Sequence, residues 1–481
     1  METPSLCASG SECWASFQDT TAEQPPRTGD RRRDGRLHAA SSPDSSSVAA
    51  LPTSKVRLWL DGEVGSSLDD DLKVAAQAPS AMSGGTASGG TWLRNFHPGW
   101  FGAVMGTAVI GVISSGNPGH IHGLATTMKD LSIGATALAA ALGVLIAVPY
   151  LARWVIYPRA AWADMRDPTV GPLHGTFPGG ILVLGVAIST VGPQVLPLHS
   201  VPTVVEVFAA IGVPLALGIS LVFAYLLFTL ELPDTRVVNG GWFIPPVVTI
   251  IVPVVLVPLI SQVGPSGARL LLFTAYAFWG VGFLLFLLVM GLLHDRLVTQ
   301  ALPPAAMAPS LWIVLGPLGV GAAALLDLAH VAPAVLGAKA AVIGTLTLVG
   351  ASTLWGFGAW SLLVALVLLG RYLRRGGVPY GVGWWAFTFP LGALTLATSS
   401  LADAWKLPIV SDIALGLLVG LVVLWLIVTA GTAGSVATGH AWARPTAPSP
   451  VSSGTAAQPT VTAEAAPAAV ISPSASKGAI S

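Results

Sequence analysis

The hydrophobic positions of the chain fall into long apolar stretches that short polar connections separate. A bilayer core of about 30 Å is crossed by about 20 helical residues, and ten stretches in the middle of the chain reach that length. The pattern predicts an all-α membrane protein with ten transmembrane helices. The predicted spans are residues 98–115, 131–152, 177–195, 203–230, 242–262, 269–293, 309–326, 336–369, 384–402 and 409–431. The eighth is too long for one perpendicular span, and Gly344 and Gly350 mark either a break or an extension beyond the lipid.

Polar segments flank this apolar region. Residues 1–92 are rich in Ser, Pro, Gly, Asp and Arg, and residues 441–481 in Ala, Pro, Ser and Thr. Neither has a sustained apolar period, which is typical of disorder. We therefore expect a disordered tail at each end and one membrane domain over residues 93–440. Met82 stands shortly before the first span and is an alternative translation start.

Composition agrees with a membrane protein. Of the 481 residues, 53% are hydrophobic and 10% are charged, against roughly 25% charged in soluble proteins. The 23 basic and 23 acidic residues cancel, so charge gives no argument for a nucleic-acid partner. Cys7 and Cys13 both lie in the N-terminal tail, so they cannot give the membrane domain a disulfide framework, and no redox function is expected.

The basic residues that flank the spans are distributed unequally between the two sides of the membrane. The positive-inside rule assigns the richer side to the cytoplasm, and with ten spans both termini lie there. One side holds Arg94, Arg153, Arg159, Arg166, Arg236, Arg296, Arg371, Arg374, Arg375 and Arg444, and the other holds Lys129, Arg269, Lys339 and Lys406.

Proline is concentrated in the odd-numbered spans. It bends helices and frees backbone carbonyls, which lipid does not tolerate unless protein or a water-filled cavity satisfies them. The odd spans are therefore predicted to form an inner ring and the even spans an outer one; ordinary kinked bundle helices are the alternative. The prolines of the odd spans are Pro98, Pro178, Pro245, Pro246, Pro253, Pro258, Pro309, Pro317 and Pro390.

A repeat in the chain supports pairing of the spans into hairpins. Trp100, Trp242 and Trp384 open the first, fifth and ninth spans at intervals of 142 residues. Five helical hairpins arranged around an axis would give this spacing, at two hairpins per interval. Aromatic anchoring at the membrane interface also explains the residue type, but less easily the interval.

Few ionisable residues lie in the spans, although chemistry inside a membrane depends on such residues. Glu206 is near the start of the fourth span, where an interfacial carboxylate is favoured over a proton-coupling site, and Asp327 and Asp403 are at span ends. No His/Glu pair has the spacing of a metal site, and the histidines lie at span ends or in connections. No metal or other cofactor is expected, and a membrane-embedded enzyme is the disfavoured alternative. A neutral pore suits an anion that binds weakly and leaves quickly.

Three segments carry a family resemblance. They are residues 95–107, with Asn-Phe-His-Pro-Gly-Trp-Phe followed by Val-Met-Gly-Thr; residues 302–317, with Leu-Pro-Pro, Pro-Ser-Leu-Trp-Ile and Leu-Gly-Pro; and residues 384–392, Trp-Trp-Ala-Phe-Thr-Phe-Pro-Leu-Gly. In this order they resemble the tellurite-resistance/dicarboxylate transporter family, which includes plant slow anion channels, the fungal malate permease and the fungal sulfite pump. The sequence departs from the family at Ala108, where a second glycine is usual.

The resemblance implies five helical hairpins around a central pore lined by the odd helices, and a homotrimer in the cytoplasmic membrane. It implies a phenylalanine gate in the ninth span, which maps best onto Phe389, with Phe387 as the competing position. The substrate is a small anion: C4-dicarboxylates such as malate are the first choice, and sulfite export or a general anion channel is the alternative. Candidates for lining the pore are Gly106, Thr107, Pro178, Pro253, Gly316, Pro317, Pro390 and Gly392.

Overall fold

The computed structural model describes residues 91–229 and 235–442. The predictions for the two tails, including the alternative start at Met82, concern residues almost wholly outside these ranges. Within them the chain is helical and has no strand. The ten long helices are α1 (Phe101–Ser115), α2 (Ala125–Ile156), α3 (Thr176–Val191), α4 (Ser200–Thr229), α5 (Ile244–Ile260), α6 (Pro265–Thr299), α7 (Leu315–Leu336), α8 (Ala340–Arg374), α9 (Thr388–Trp405) and α10 (Pro408–Ala437).

Each predicted span has a helix, and the prediction of an all-α membrane protein is confirmed. In the described part of the chain, nine helical segments have the length and apolar composition needed to cross a bilayer. α9 is not among the nine, so the count of ten spans stays a prediction. It is an 18-residue helix of which 12 residues are buried, and it packs among the other helices.

Two details qualify the sequence-based expectation. The eighth span is one uninterrupted helix, which excludes a break at Gly344 and Gly350 and leaves the extension beyond the lipid. α7 continues to Leu336, ten residues beyond the predicted end at Leu326. Asp327 therefore lies within an odd helix, and its assignment to a span end was wrong. The predicted span of residues 309–326 was already long enough to cross a bilayer, and it ended at the residue immediately before the carboxylate.

A 3-10 segment precedes each odd helix and sets where that helix begins. Two of these segments are capped alike: the backbone N–H of Gly99 donates to His97 Nδ1 at 3.1 Å, and that of Gly241 to Asn239 Oδ1 at 2.8 Å. His97 and Asn239 are 142 residues apart, so the interval seen in the tryptophans extends to the capping residues. The segments are Pro98–Trp100, Gly171–Gly175, Gly240–Phe243, Ala305–Trp312 and Val382–Phe387.

The five odd helices form a closed ring. In the order α1, α3, α5, α7, α9 each packs against the next, and α9 packs against α1. Each even helix lies outside, against its own odd helix and the following one. In the most apolar part of α1, α3, α5 and α7, 72–89% of the residues are buried, whereas only 17–22% are buried in the five even helices. The inner and outer rings predicted from proline are confirmed.

Glycines allow the inner helices to approach closely. A Cβ on Gly319 of α7 would overlap the backbone of Ala393 and Leu394 of α9, and a Cβ on Gly106 of α1 would overlap the side chain of Thr388. Without these glycines the ring could not close at its present diameter.

Three tryptophans of the outer ring bind the next inner helix through their indole N–H. Trp279 of α6 donates to Gly321 O of α7 at 3.0 Å. Trp355 of α8 donates to Thr398 Oγ1 of α9 at 2.8 Å, and Trp425 of α10 to Thr107 Oγ1 of α1 at 2.9 Å. The last of these bonds closes the ring between the final helix and the first. In a lipid environment such bonds hold packed helices in register.

At the end where the odd helices begin, side chains of the even helices bind the backbone before their own hairpin. Arg153 Nε donates to Arg94 O at 2.9 Å, and Arg296 Nε to Arg236 O at 3.3 Å. The residues of the second hydrogen bond follow those of the first by about one 142-residue interval. The repeat is therefore structural and goes beyond interfacial aromatic residues.

Candidate functional site

Two small cavities lie along the axis of the inner ring. The proximal cavity, of about 40 Å³, is near the starts of the odd helices, and the distal cavity, of about 30 Å³, is about two helical turns further along them. Each has room for roughly two or three water molecules. The proximal cavity is lined by Met105, Thr176, Ile244, Val247, Ile313, Gly316, Phe389 and Pro390. The distal cavity is lined by Val109, Val112, Val183, Val186, Ile251, Val254, Val320, Ala323, Phe389, Ala393 and Leu396.

All five odd helices, or the turns that lead into them, contribute to both cavities, and no even helix contributes to either. Along the odd helices most lining residues recur three, four or seven positions apart, as expected for one face of a helix. The two cavities therefore mark successive levels of the same axis.

Phe389 is the residue that the two linings share. Its side chain is 6% exposed. Gly316 of the neighbouring helix α7 lies beside the ring, and an added Cβ there would be 3.8 Å from Phe389 Cε1. The phenyl ring thus lies between the cavities, at a level where the adjacent residue of α7 has no side chain.

Phe387 has a different environment. Its ring makes edge contacts with Trp312, at 5.1 Å between centroids, and with Trp384, at 5.8 Å. It lines neither cavity. Phe387 belongs to an aromatic cluster at the entrance to α7 and α9.

The predicted pore-lining residues are all buried, but only Gly316 and Pro390 are in the lining of these cavities. Gly106 and Gly392 are at helix contacts, where an added Cβ would overlap Thr388 and Val109 respectively. Thr107 is turned towards α10, where its hydroxyl accepts the indole N–H of Trp425. Pro178, Pro253 and Pro317 lie in α3, α5 and α7 outside both linings.

The linings are apolar apart from Thr176, whose hydroxyl is directed at the carbonyl oxygens of Pro98 and Leu173 at 2.8 and 2.7 Å. Neither cavity has a charged side chain in its lining. An ion at either level would find peptide dipoles and freed backbone groups but no fixed counter-charge. Such a path does not bind an ion tightly at any level.

The ionisable groups singled out in the sequence occupy three different environments. Glu206 is exposed on α4, an outer helix. Asp403 is 64% exposed and lies 3.3 Å from the equally exposed His120. Asp327 is partly buried on α7. In residues 91–229 and 235–442 no three His, Cys, Asp or Glu side chains are grouped so that they could hold a metal ion.

His97 stands just before the first helix. Burial lowers the pKa of His97 to about 4, with the positive charge of Arg153 acting in the same direction and Asp164 against it. The ring is therefore neutral at physiological pH, as its acceptor role at Gly99 requires.

Sequence reasoning did not name the aliphatic side chains that make up most of the distal lining. Their signal was present in the spacing of Val109 and Val112, and of Val183 and Val186, within odd spans. In helices that are apolar all round, this spacing does not distinguish an axis-facing residue from one that packs against a neighbour.

A family model described as "SLAC1: Voltage-dependent anion channel" matches residues 95–433. An uncharacterized transporter of Methanocaldococcus jannaschii is 30% identical over 348 residues, which are 72% of this chain and 95% of the relative. The sulfite efflux pump of Trichophyton rubrum is 27% identical over 358 residues, 71% of this chain and 90% of the relative. The malic acid transport protein of Schizosaccharomyces pombe is 23% identical over 312 residues, 62% of this chain and 68% of the relative.

These relatives are named as transporters, and they include the malate and sulfite proteins of the family that the three sequence segments indicated. The predicted resemblance is thereby confirmed. Since the family model spans all ten long helices except the last few residues of α10, the chain belongs to the SLAC1 family of voltage-dependent anion channels.

Proposed function

We propose that the chain conducts small anions across the membrane along the axis of the inner ring, with the ring of Phe389 as the gate. The observation that carries the proposal is that Phe389 lies between two cavities lined only by the inner helices. Because the adjacent position on α7 is Gly316, no side chain of that residue restrains the phenyl ring. Rotation of this one side chain would join the cavities.

The proposal extends to the size and charge of the substrate. The unfavourable free energy of placing an ion in an apolar site rises steeply with its charge, and the two linings contain no cationic side chain. A small, singly charged anion such as chloride or bisulfite is therefore favoured over a doubly charged C4-dicarboxylate. The similarity to named sulfite efflux pumps supports this order, since they match over a larger share of their length than the malic acid transport protein.

A C4-dicarboxylate such as malate, the first choice on the sequence, is the second candidate. The match to the malic acid transport protein supports it. Passage of malate would require the path to widen well beyond cavities of about 30 and 40 Å³. Malate transport should therefore depend more strongly on opening of the Phe389 gate than chloride transport does.

Anion efflux from liposomes tests the proposal. Purified protein is reconstituted, the liposomes are loaded with chloride, sulfite or malate, and efflux is compared with that from protein-free liposomes at the same voltage. We expect fast efflux of chloride and of sulfite at a pH where bisulfite is present, and slower efflux of malate. Efflux no faster than from protein-free liposomes for all three anions would refute the proposed function.

We further propose that the protein is a homotrimer of the cytoplasmic membrane with both termini inside. The asymmetry of basic residues supports the orientation, and the family resemblance supports the trimer. Chemical crosslinking of the protein in native membranes should give a ladder that ends at three copies. A protease added to sealed, right-side-out cells should leave tags at both termini intact.

A further inference from the structure

One carboxylate continues the row of residues that faces the axis. On α7, Gly316 lines the proximal cavity and Val320 and Ala323 line the distal one. At about 100° per residue, Asp327 falls within the same sector of about 60° as these three. It lies one turn beyond Ala323, on the side where the odd helices end.

Asp327 has no partner to neutralise it. In the described residues it makes no hydrogen bond and no ion pair, although it is partly buried. An ionisable side chain at membrane depth without a partner is unfavourable, and such residues usually serve ion or proton pathways. A structural role in packing does not explain a carboxylate at this position, since an asparagine or a leucine would fit a helix contact at a lower cost in free energy.

The groups that face this end of α7 are few. Of the helices packed against it, α5 has no titratable residue, and the part of α8 before Arg371 has none. α6 carries Arg269 and Tyr276 towards this end, and α9 carries Asp403, which pairs with the exposed His120. On α7 itself the next titratable residue is His330, which is exposed, and the 3-10 segment that follows α7 ends at Lys339.

We propose that Asp327 controls anion passage through its charge: ionised, the carboxylate repels an anion leaving or entering the distal cavity, and protonated, it lets the anion pass. This inference rests on the proposed function. Conduction should then increase as the pH falls on the side of the membrane where the odd helices end. The distribution of basic residues predicts that this side is the outside. The physical basis is Coulomb repulsion in a region with little water to screen it.

The test uses chloride or nitrate, because both keep a single negative charge between pH 5 and pH 8. Full-length protein is reconstituted, the voltage is set to zero with potassium and valinomycin, and efflux is measured across this pH range. For the wild type we expect efflux to rise as the pH falls. Asp327→Asn should be faster than the wild type at pH 8, by about fivefold or more, and should lose the rise. Asp327→Glu, which keeps the carboxylate, should retain a rise.

Asp403→Asn is the matched control, since it removes a carboxylate at the same end that is exposed and paired. It should keep the wild-type pH profile. The proposal fails if Asp327→Asn shows the same pH-dependent rise as the wild type, or if it conducts more slowly at every pH. Wild-type efflux no faster than that from protein-free liposomes would instead overturn the proposed function itself.

Discussion

At the scale of single residues, Phe389 and Phe387 make a matched pair two positions apart. Phe389→Ala removes the side chain between two cavities and should raise chloride efflux about tenfold or more, because no new binding contact is needed. Phe387→Ala removes a ring that packs on Trp312 and Trp384 and should lower thermal stability without raising efflux. Faster efflux in Phe387→Ala and unchanged efflux in Phe389→Ala would move the gate to the other ring.

A second residue-scale prediction concerns His97 and pH. Its pKa is about 4 in the folded protein and about 6.5 in an unfolded chain. Between these values the unfolded state binds the proton and the folded state does not, so folding stability is lost as the pH falls from about 6.5 to 4. His97→Gln cannot bind a proton, yet its amide oxygen can still accept from Gly99.

The stability of the wild type relative to His97→Gln should therefore decrease by about 1 kcal/mol between pH 7.5 and pH 5, since the side chain is only partly buried. Thermal unfolding in detergent at both pH values measures this difference. Parallel loss of stability in the two proteins would show that other groups account for the pH dependence.

At the scale of helices, the distribution of proline is sufficient to distinguish the inner ring from the outer ring.

Single cysteines test the path itself, after Cys7 and Cys13 are changed to serine. Ala323→Cys lines the distal cavity, whereas Leu363→Cys replaces a 64% exposed side chain on the outer face of α8. A charged, water-soluble thiol reagent should modify the first and spare the second, which faces lipid. Equal modification of the two would contradict a water-accessible axis.

The indole bonds between the rings give a prediction about helix packing. Trp425→Phe keeps the aromatic bulk but removes the N–H that binds Thr107, so it should destabilise the fold by about 1 kcal/mol. Trp360→Phe is the control, because Trp360 is 55% exposed on α8. A shift in unfolding temperature for Trp425→Phe no larger than for Trp360→Phe would show that the bond adds nothing to packing.

At the scale of the whole molecule, the apolar pattern, the repeat and the distribution of proline were sufficient to predict the fold class, the hairpins and the two rings. They were not sufficient for the site. Thr107 and Gly392 lie in family-like motifs but serve helix contacts, while Val186 and Val254 line the distal cavity without any motif. In spans that are apolar on every face, only three-dimensional packing decides which side chain faces the axis. Asp327 was assigned to a span end because the end of α7 was placed too early.

In the described part of the chain, Asp327 lies on the axis-facing row of α7 and makes no hydrogen bond or ion pair, and its position bears on what drives transport. Proton symport requires a group that carries the proton along the path with the substrate, but neither cavity has a titratable side chain in its lining, and Glu206 is exposed on an outer helix. Asp327 lies at one end only, where it can repel an anion but cannot relay a proton past Phe389. We therefore expect electrogenic flux driven by the electrochemical gradient of the anion. In liposomes with a pH gradient and the voltage held at zero, chloride should not accumulate, and an imposed inside-positive voltage should drive its uptake. Uphill uptake at zero voltage that is lost in Asp327→Asn would show coupling at that residue, and the same loss in Glu206→Gln would place the coupling on the outer ring.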